Sequence, residues 1–173
     1  MNQYTTMSIM PDRNQPISSS QDPLVRMANW FSKAVPNPEP RNVNSQIACH
    51  IEEFREMLTV LQGVCPDDYL GEPMRLANDV LAHLEKLIKT APEHSALVIE
   101  DLNRVDLQDA LSDQIVTSVG VSYMLDMDPV GAAAEVARSN DSKFDTDGNP
   151  IFNQTRKIMK GPDYSPPNLL PYV

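Results

Sequence analysis

Apolar positions recur along most of this chain in steps of three and four, the period of an α-helix, while the two-residue alternation of strands is almost absent. Asp22-Pro23 supplies an N-cap and a first-turn proline, which predicts a helix from Pro23 to about Lys33. The stretch Val35-Pro36-Asn37-Pro38-Glu39-Pro40 is too proline-rich for a helix or a central strand and reads as a linker. Ser45 opens a second predicted helix to about Gln62, with Ile47, Ile51, Phe54, Leu58 and Leu61 as its main stripe and Gly63 as its stop. A third runs from about Met74 to Lys89, a long fourth from about Ser95 to Leu125, and a fifth from Pro129 to about Ser142. The pattern predicts an all-α fold, a four-helix-type bundle over residues 23–143. A polar, flexible arm precedes it over 1–22, and a proline-rich tail packed on the bundle follows over 144–173.

The long fourth helix breaks the simple pattern twice. From Leu111 to Leu125 it is apolar almost all round, and a helix apolar on every side is buried on every side. A chain of 173 residues rarely encloses such a helix alone, so a subunit interface and an oligomer are expected. Further back, Asp109 and Asp113 fall on the same stripe as Val98, Leu102, Val105, Val116 and Gly120. Two inward carboxylates need a cation, a base or a proton, because an ionised carboxylate buried alone is very costly. Glu53 and Glu56, three apart on the second helix, lie among Cys49, Met57 and Val60, whereas Glu52 and Arg55 lie nearer the solvent sector. Four hard oxygen donors on two facing helices suit Mg²⁺ or Mn²⁺. His50 and His83 have no evident partner and read as core or surface residues.

Charge narrows the partners. The formal net charge is −10 and the pI about 4.6, which argues against a protein that binds a nucleic-acid backbone. Cys49 and Cys65 are the only cysteines, without zinc spacing or a disulfide framework. There is no basic-then-apolar leader and no apolar run near the roughly 20 residues of a membrane span. A cytoplasmic protein with neither nucleic-acid nor membrane partner is expected. Asp145-Thr-Asp147-Gly148-Asn149 hints at a calcium loop, but Arg156 stands where such a loop needs its bidentate glutamate, and the glycine comes at the fourth place instead of the sixth.

The acidic segments also resemble those of a known family. Glu52-Glu53-Phe54-Arg55-Glu56 resembles the EExxE segment of MazG-like, all-α nucleoside triphosphate pyrophosphohydrolases, which are grouped with phosphoribosyl-ATP pyrophosphohydrolase-like proteins. Asp109-Ala-Leu-Ser-Asp113, followed by Val119-Gly120, resembles their second acidic helix. Glu135-Val-Ala-Arg-Ser-Asn140-Asp-Ser-Lys143 is similar to the EVxRSNxSK segment of the phage-type branch, and Lys157-x-x-Lys160-Gly161-Pro162-x-Tyr164 resembles that branch's ending. The likeness extends from about Leu24 to the C-terminus.

That resemblance implies a helical homodimer or homotetramer, in the host cytoplasm if phage-encoded. It would cleave a nucleoside triphosphate between the α- and β-phosphates, giving the monophosphate and pyrophosphate. It implies that Glu53, Glu56 and Asp113 bind metal. The family's second motif is ExxD, and Ala110 stands where its glutamate belongs, so Asp109, on the same face, would substitute. By the same likeness Asn140 and Lys143 contact the nucleotide, Lys160 and Tyr164 cover it, and Trp30 and Phe31 help form a base pocket. A metal-activated water would be the nucleophile, with Glu52 and Glu53 both candidates for its base. Two other expectations compete with this: a nucleotide-binding or regulatory bundle without turnover, and a purely structural helical protein whose four acids are all solvated.

Overall fold

The computed structural model of the chain describes residues 22–64, 68–92, 97 and 99–173. Residues 1–21 of the predicted arm, Cys65 and Val98 lie outside the described residues. The described residues form five α-helices: α1 (Pro23–Ala34), α2 (Pro40–Gly63), α3 (Asp68–Thr90), α4 (Arg104–Met124) and α5 (Pro129–Asp141). Short 3₁₀ turns occupy Asp101–Asn103 and Leu170–Tyr172. Among the described residues the β-type pairing is confined to one isolated antiparallel bridge, Phe152 with Ile158.

Local chemistry sets the helix ends. Asp22 Oδ1 accepts from the Leu24 and Val25 N–H groups at 2.8 and 3.4 Å, and Asp128 Oδ1 accepts from Val130 and Gly131 at 3.1 and 2.9 Å. Each cap is followed by a proline at the first helical position, where its missing N–H has no helical partner to lose. The same chemistry begins α2 at Pro40 instead of Ser45, with the Glu39 N–H donating to Asn42 Oδ1 at 2.9 Å. The last proline of the expected linker is thus a helix start. Likewise α3 begins at Asp68 and carries Pro73 inside it, where the sequence places a boundary. In the other direction α4 starts only at Arg104, after the 3₁₀ turn, and not near Ser95.

α2 and α3 pack as an antiparallel pair. Arg55 Nε donates to Asn78 Oδ1 at 3.0 Å, Arg55 also pairs with Glu85, and Lys89 Nζ reaches Glu52 at 3.1 Å. α1 lies against α5: Arg26 pairs with Asp141 at 2.7 Å, and the Trp30 indole N–H donates to the Asn140 carbonyl at 2.6 Å. The tail is stitched to α5, with the Asn168 N–H on Glu135 Oε1 at 2.8 Å, the Ser165 N–H on Ser142 Oγ at 2.9 Å, and Arg138 on the Pro166 carbonyl at 3.1 Å. Gly161 is what allows it to come so near. A Cβ there would stand 2.3 Å from the Phe144 carbonyl oxygen and 2.8 Å from that of Lys143.

The buried apolar residues among those described are Trp30, Ala34, Ala48 and Ala137, a small core centred on α1, α2 and α5. α4 contributes none. Every residue of it is exposed except Gly120 and Ser122, which are half-buried, so the inward placement expected for Asp109 and Asp113 is not what this fold shows. The residues of its all-round apolar stretch stand in solvent, Val116 at 67% and Tyr123 at 75% exposure. Periodicity identifies apolar faces without saying whether the same chain covers them. No helix among the described residues is long and apolar enough to cross a membrane.

Candidate functional site

One stripe of α2 is turned toward an open cleft of about 1510 Å³. Ser45, Cys49, Glu53 and Glu56 follow one another along it at helical spacing, and all four line the cleft. Opposite them are Trp30 and Phe31 from α1, Asn140 from the end of α5, Lys143 just beyond it, and Tyr164 from the tail. Seven of the sequence-nominated residues, Trp30, Phe31, Glu53, Glu56, Asn140, Lys143 and Tyr164, therefore meet in one place although they come from four segments of the chain. Lys160 lies over the Tyr164 ring at 4.6 Å, a cation–π contact beside the cleft.

The aromatic wall is built as much for packing as for contact. Trp30 is buried, its indole N–H is committed to the Asn140 carbonyl, and its ring meets Phe31 edge-on at 4.9 Å and Phe144 at 5.7 Å. Phe31 keeps 39% exposure and is the ring left open to a ligand. Asn140 is held by its backbone carbonyl to α1. Its neighbour Lys143 is half-buried, and that burial holds its ammonium below the usual lysine range. Lys143 forms no ion pair among the described residues.

The three glutamates of the acidic segment separate into two groups. Glu53 is pushed above the usual carboxylate range by the protein packed around it, then by the charges of Glu56 and Glu52, even though its side chain still reaches solvent. Glu52 does not line the cleft. It accepts from Lys157 Nζ at 2.8 Å and Lys89 Nζ at 3.1 Å, and the Lys157 hydrogen bond is the largest cause of its carboxyl sitting below the usual range. Behind it Glu85, buried, takes Arg55 and Lys89. Burial pushes its carboxyl up, and these two hydrogen bonds more than offset that push. A carboxylate tied to two ammonium groups is a poor proton acceptor, and of the two expected candidates Glu53 carries no such tie among the described residues.

Asp109 and Asp113 do not line the cleft; α4 offers it Leu107 and Leu111 instead. α4 nonetheless reaches α2 at one point, where Gln114 hydrogen-bonds to His50, one turn before Glu53. His50 thus has a partner that the sequence did not suggest. Among the described residues no three His, Cys, Asp or Glu side chains come together as a metal-holding group, so the predicted four-carboxylate cage is not assembled. Glu53 and Glu56 remain as two carboxylates on one helix face. That donor set fits Mg²⁺, which usually takes one or two carboxylates and completes its shell with water and substrate phosphates.

Two features of the cleft were not foreseen. Ser45 is buried at 4% exposure, lines the cleft, and its hydroxyl oxygen has no hydrogen-bond partner among the described residues. A buried hydroxyl without a partner is costly. Second, Arg156, Lys157 and Ile158 form part of the wall. The Asn153-x-Thr155 pattern is the local signal for the turn that carries them, since Asn153 Oδ1 accepts from the Thr155 and Lys157 N–H groups at 3.0 and 2.9 Å. No family model, curated protein or solved structure matches this chain.

Proposed function

We propose that the cleft binds a nucleoside triphosphate and hydrolyses its α–β phosphoanhydride, releasing the nucleoside monophosphate and pyrophosphate. The observation that carries this reading is the meeting, in one cleft, of a carboxylate pair, a set of cations and an aromatic wall. Carboxylates alone would repel a triphosphate, and cations alone would bind any anion. Together with a divalent cation they bind a metal–polyphosphate complex. Phe31 is the surface for the base, and the unpartnered Ser45 hydroxyl, about 12 Å along α2 from Glu53, is a hydrogen-bonding group for the nucleoside end.

Glu53 and Glu56 would hold Mg²⁺, or Mn²⁺. When bound, the ion supplies charge neutralisation and a more acidic water. Glu53, turned toward the cleft and without the lysine ties that hold Glu52, would accept a proton from the attacking water. Lys143 stands where negative charge grows on the leaving pyrophosphate. The displaced Asp109 and Asp113 favour a second reading, a nucleotide-binding bundle that does not turn over its ligand.

The same proposal includes assembly as a homodimer or homotetramer. Its support is the apolar surface of α4, which a second copy would cover. The test is pyrophosphate release from a panel of ribo- and deoxynucleoside triphosphates with Mg²⁺, with Mn²⁺ and with chelator, repeated for Asp113→Asn. Metal-dependent release from the native chain, lost in a folded Asp113→Asn, is the expected result. Binding without release in every condition selects the second reading, and no binding at all removes both.

A further inference from the structure

Arg156 and Lys157 sit at the tip of a small hairpin that is locked internally. The Phe152–Ile158 bridge closes it, the Met159 N–H donates to the Ile151 carbonyl at 2.7 Å, and the Asn153 N–H donates to the Lys157 carbonyl at 3.0 Å. Arg156 holds a left-handed φ of 64°, unusual for a residue with a side chain, and this turns two consecutive cations in different directions. Lys157 reaches Glu52 at 2.8 Å and Arg156 reaches Glu39 at 3.1 Å. The two anchors are separated by about 20 Å of α2, so the hairpin is strapped along the helix at two points.

We infer that this hairpin is the anion-receiving wall of the cleft, with Lys157 binding the phosphate chain and Glu52 acting as its positioning residue. Lys157 lines the cleft whereas Glu52 lies behind it, which is the arrangement of a cation and its support. The support is itself braced from α3. Lys89 bridges Glu52 and Glu85, and Arg55 holds Glu85 from the other side. Three cations, Arg55, Lys89 and Lys157, share two carboxylates, so the network carries one positive charge in excess, and Lys157 is its member that lines the cleft. An ammonium has three donors, and the single bond from Lys157 to Glu52 leaves others for phosphate oxygens. Lys143, which forms no ion pair among the described residues, also lines the cleft, so two lysines from separate segments can share one oligophosphate. The ligand class is an oligophosphate anion, the pyrophosphate end of the substrate. This inference rests on the nucleotide reading and assigns that end to a named wall.

The test uses the full chain and inorganic pyrophosphate with Mg²⁺, binding being followed by calorimetry and nucleotide turnover being measured beside it. Lys157→Met should weaken pyrophosphate binding about tenfold or more, Lys157→Arg should restore most of it, and Glu52→Gln should weaken it several-fold, given that charge-assisted hydrogen bonds are the stronger ones. Adding Glu52→Gln to Lys157→Met should cost nothing further, since the support acts only through the lysine it holds. Glu52→Gln should raise KM more than it lowers kcat. Lost kcat with unchanged pyrophosphate affinity would make Glu52 a base and overturn the inference. Equal pyrophosphate affinity in native protein and folded Lys157→Met would overturn it too while native turnover leaves the nucleotide reading standing. A native chain that binds neither pyrophosphate nor nucleotide removes both.

Discussion

The half of the molecule built from α1, α5 and the tail differs sharply from α4. In the first, both helices open on side-chain caps, the Trp30 N–H has its acceptor, and the tail's backbone donors are taken up by Glu135 and Ser142. In α4 no residue is buried, and Val105, Val116, Tyr123 and Met124 stand largely in solvent. The two halves come from similar raw material, helices with apolar positions at helical spacing. What separates them is whether another element of the same chain arrives to cover the face. The closed half carries Asn140, Lys143, Tyr164 and the aromatic wall. The open half carries Asp109 and Asp113, and these are the nominated metal-binding residues that do not reach the cleft.

Substitutions can break that contrast. The largest effect is expected in the cleft: Glu53→Gln removes the proposed base and should lower turnover by about 10²–10⁴-fold, with the fold intact.

Next comes α4. Val116→Asp places a charge on the exposed apolar face and should shift the assembly equilibrium toward single chains by at least about tenfold, since burying a valine contributes about 1.5 kcal/mol or more. Sedimentation velocity reads this directly. A native chain that is already monomeric at high concentration would show that α4 is not an interface.

Ser45→Ala sharpens the comparison from α2, which lines the cleft opposite the closed half. It removes a buried hydroxyl that has no partner, so the melting temperature should hold or rise while nucleotide affinity falls several-fold. A fall in melting temperature with unchanged affinity would make Ser45 part of the packing alone.

The smallest effect concerns the tail. Arg138, and then the Asn168 N–H, hold the Glu135 carboxyl down to about 2. A depressed carboxyl contributes stability that is present above its unfolded value of 4.5 and lost as pH falls toward 2. Protection of the Asn168 amide, its exchange rate taken against the intrinsic rate at each pH, should therefore fall across that window, modestly, because Arg138 is partly exposed. Glu135→Gln should show the lowered protection already at neutral pH.

The sequence was most legible where the determinants are local. Asp22 caps the helix it appeared to cap, Pro129 opens the fifth helix as expected, and the all-helical class follows from the period. Prolines misled in both directions. Pro40 and Pro73 looked like breaks, yet one sits at a first helical position and the other inside α3. The cleft was legible as a set of residue types but not as a shape. Lys157 and Glu52 are 105 positions apart, and nothing in local spacing announces their pairing. Asp109 and Asp113 share a stripe with apolar residues, and periodicity cannot tell a face covered by the same chain from one left for another.

The most direct measurement of the central claim is hydrolysis of a nucleoside triphosphate in ¹⁸O-labelled water with Mg²⁺, the products being resolved by phosphorus NMR or mass spectrometry. Attack at the α-phosphate breaks the α–β bond, and the account predicts one labelled oxygen in the nucleoside monophosphate and none in the pyrophosphate. Label in pyrophosphate, release of a diphosphate with inorganic phosphate, or no hydrolysis of any triphosphate would contradict it.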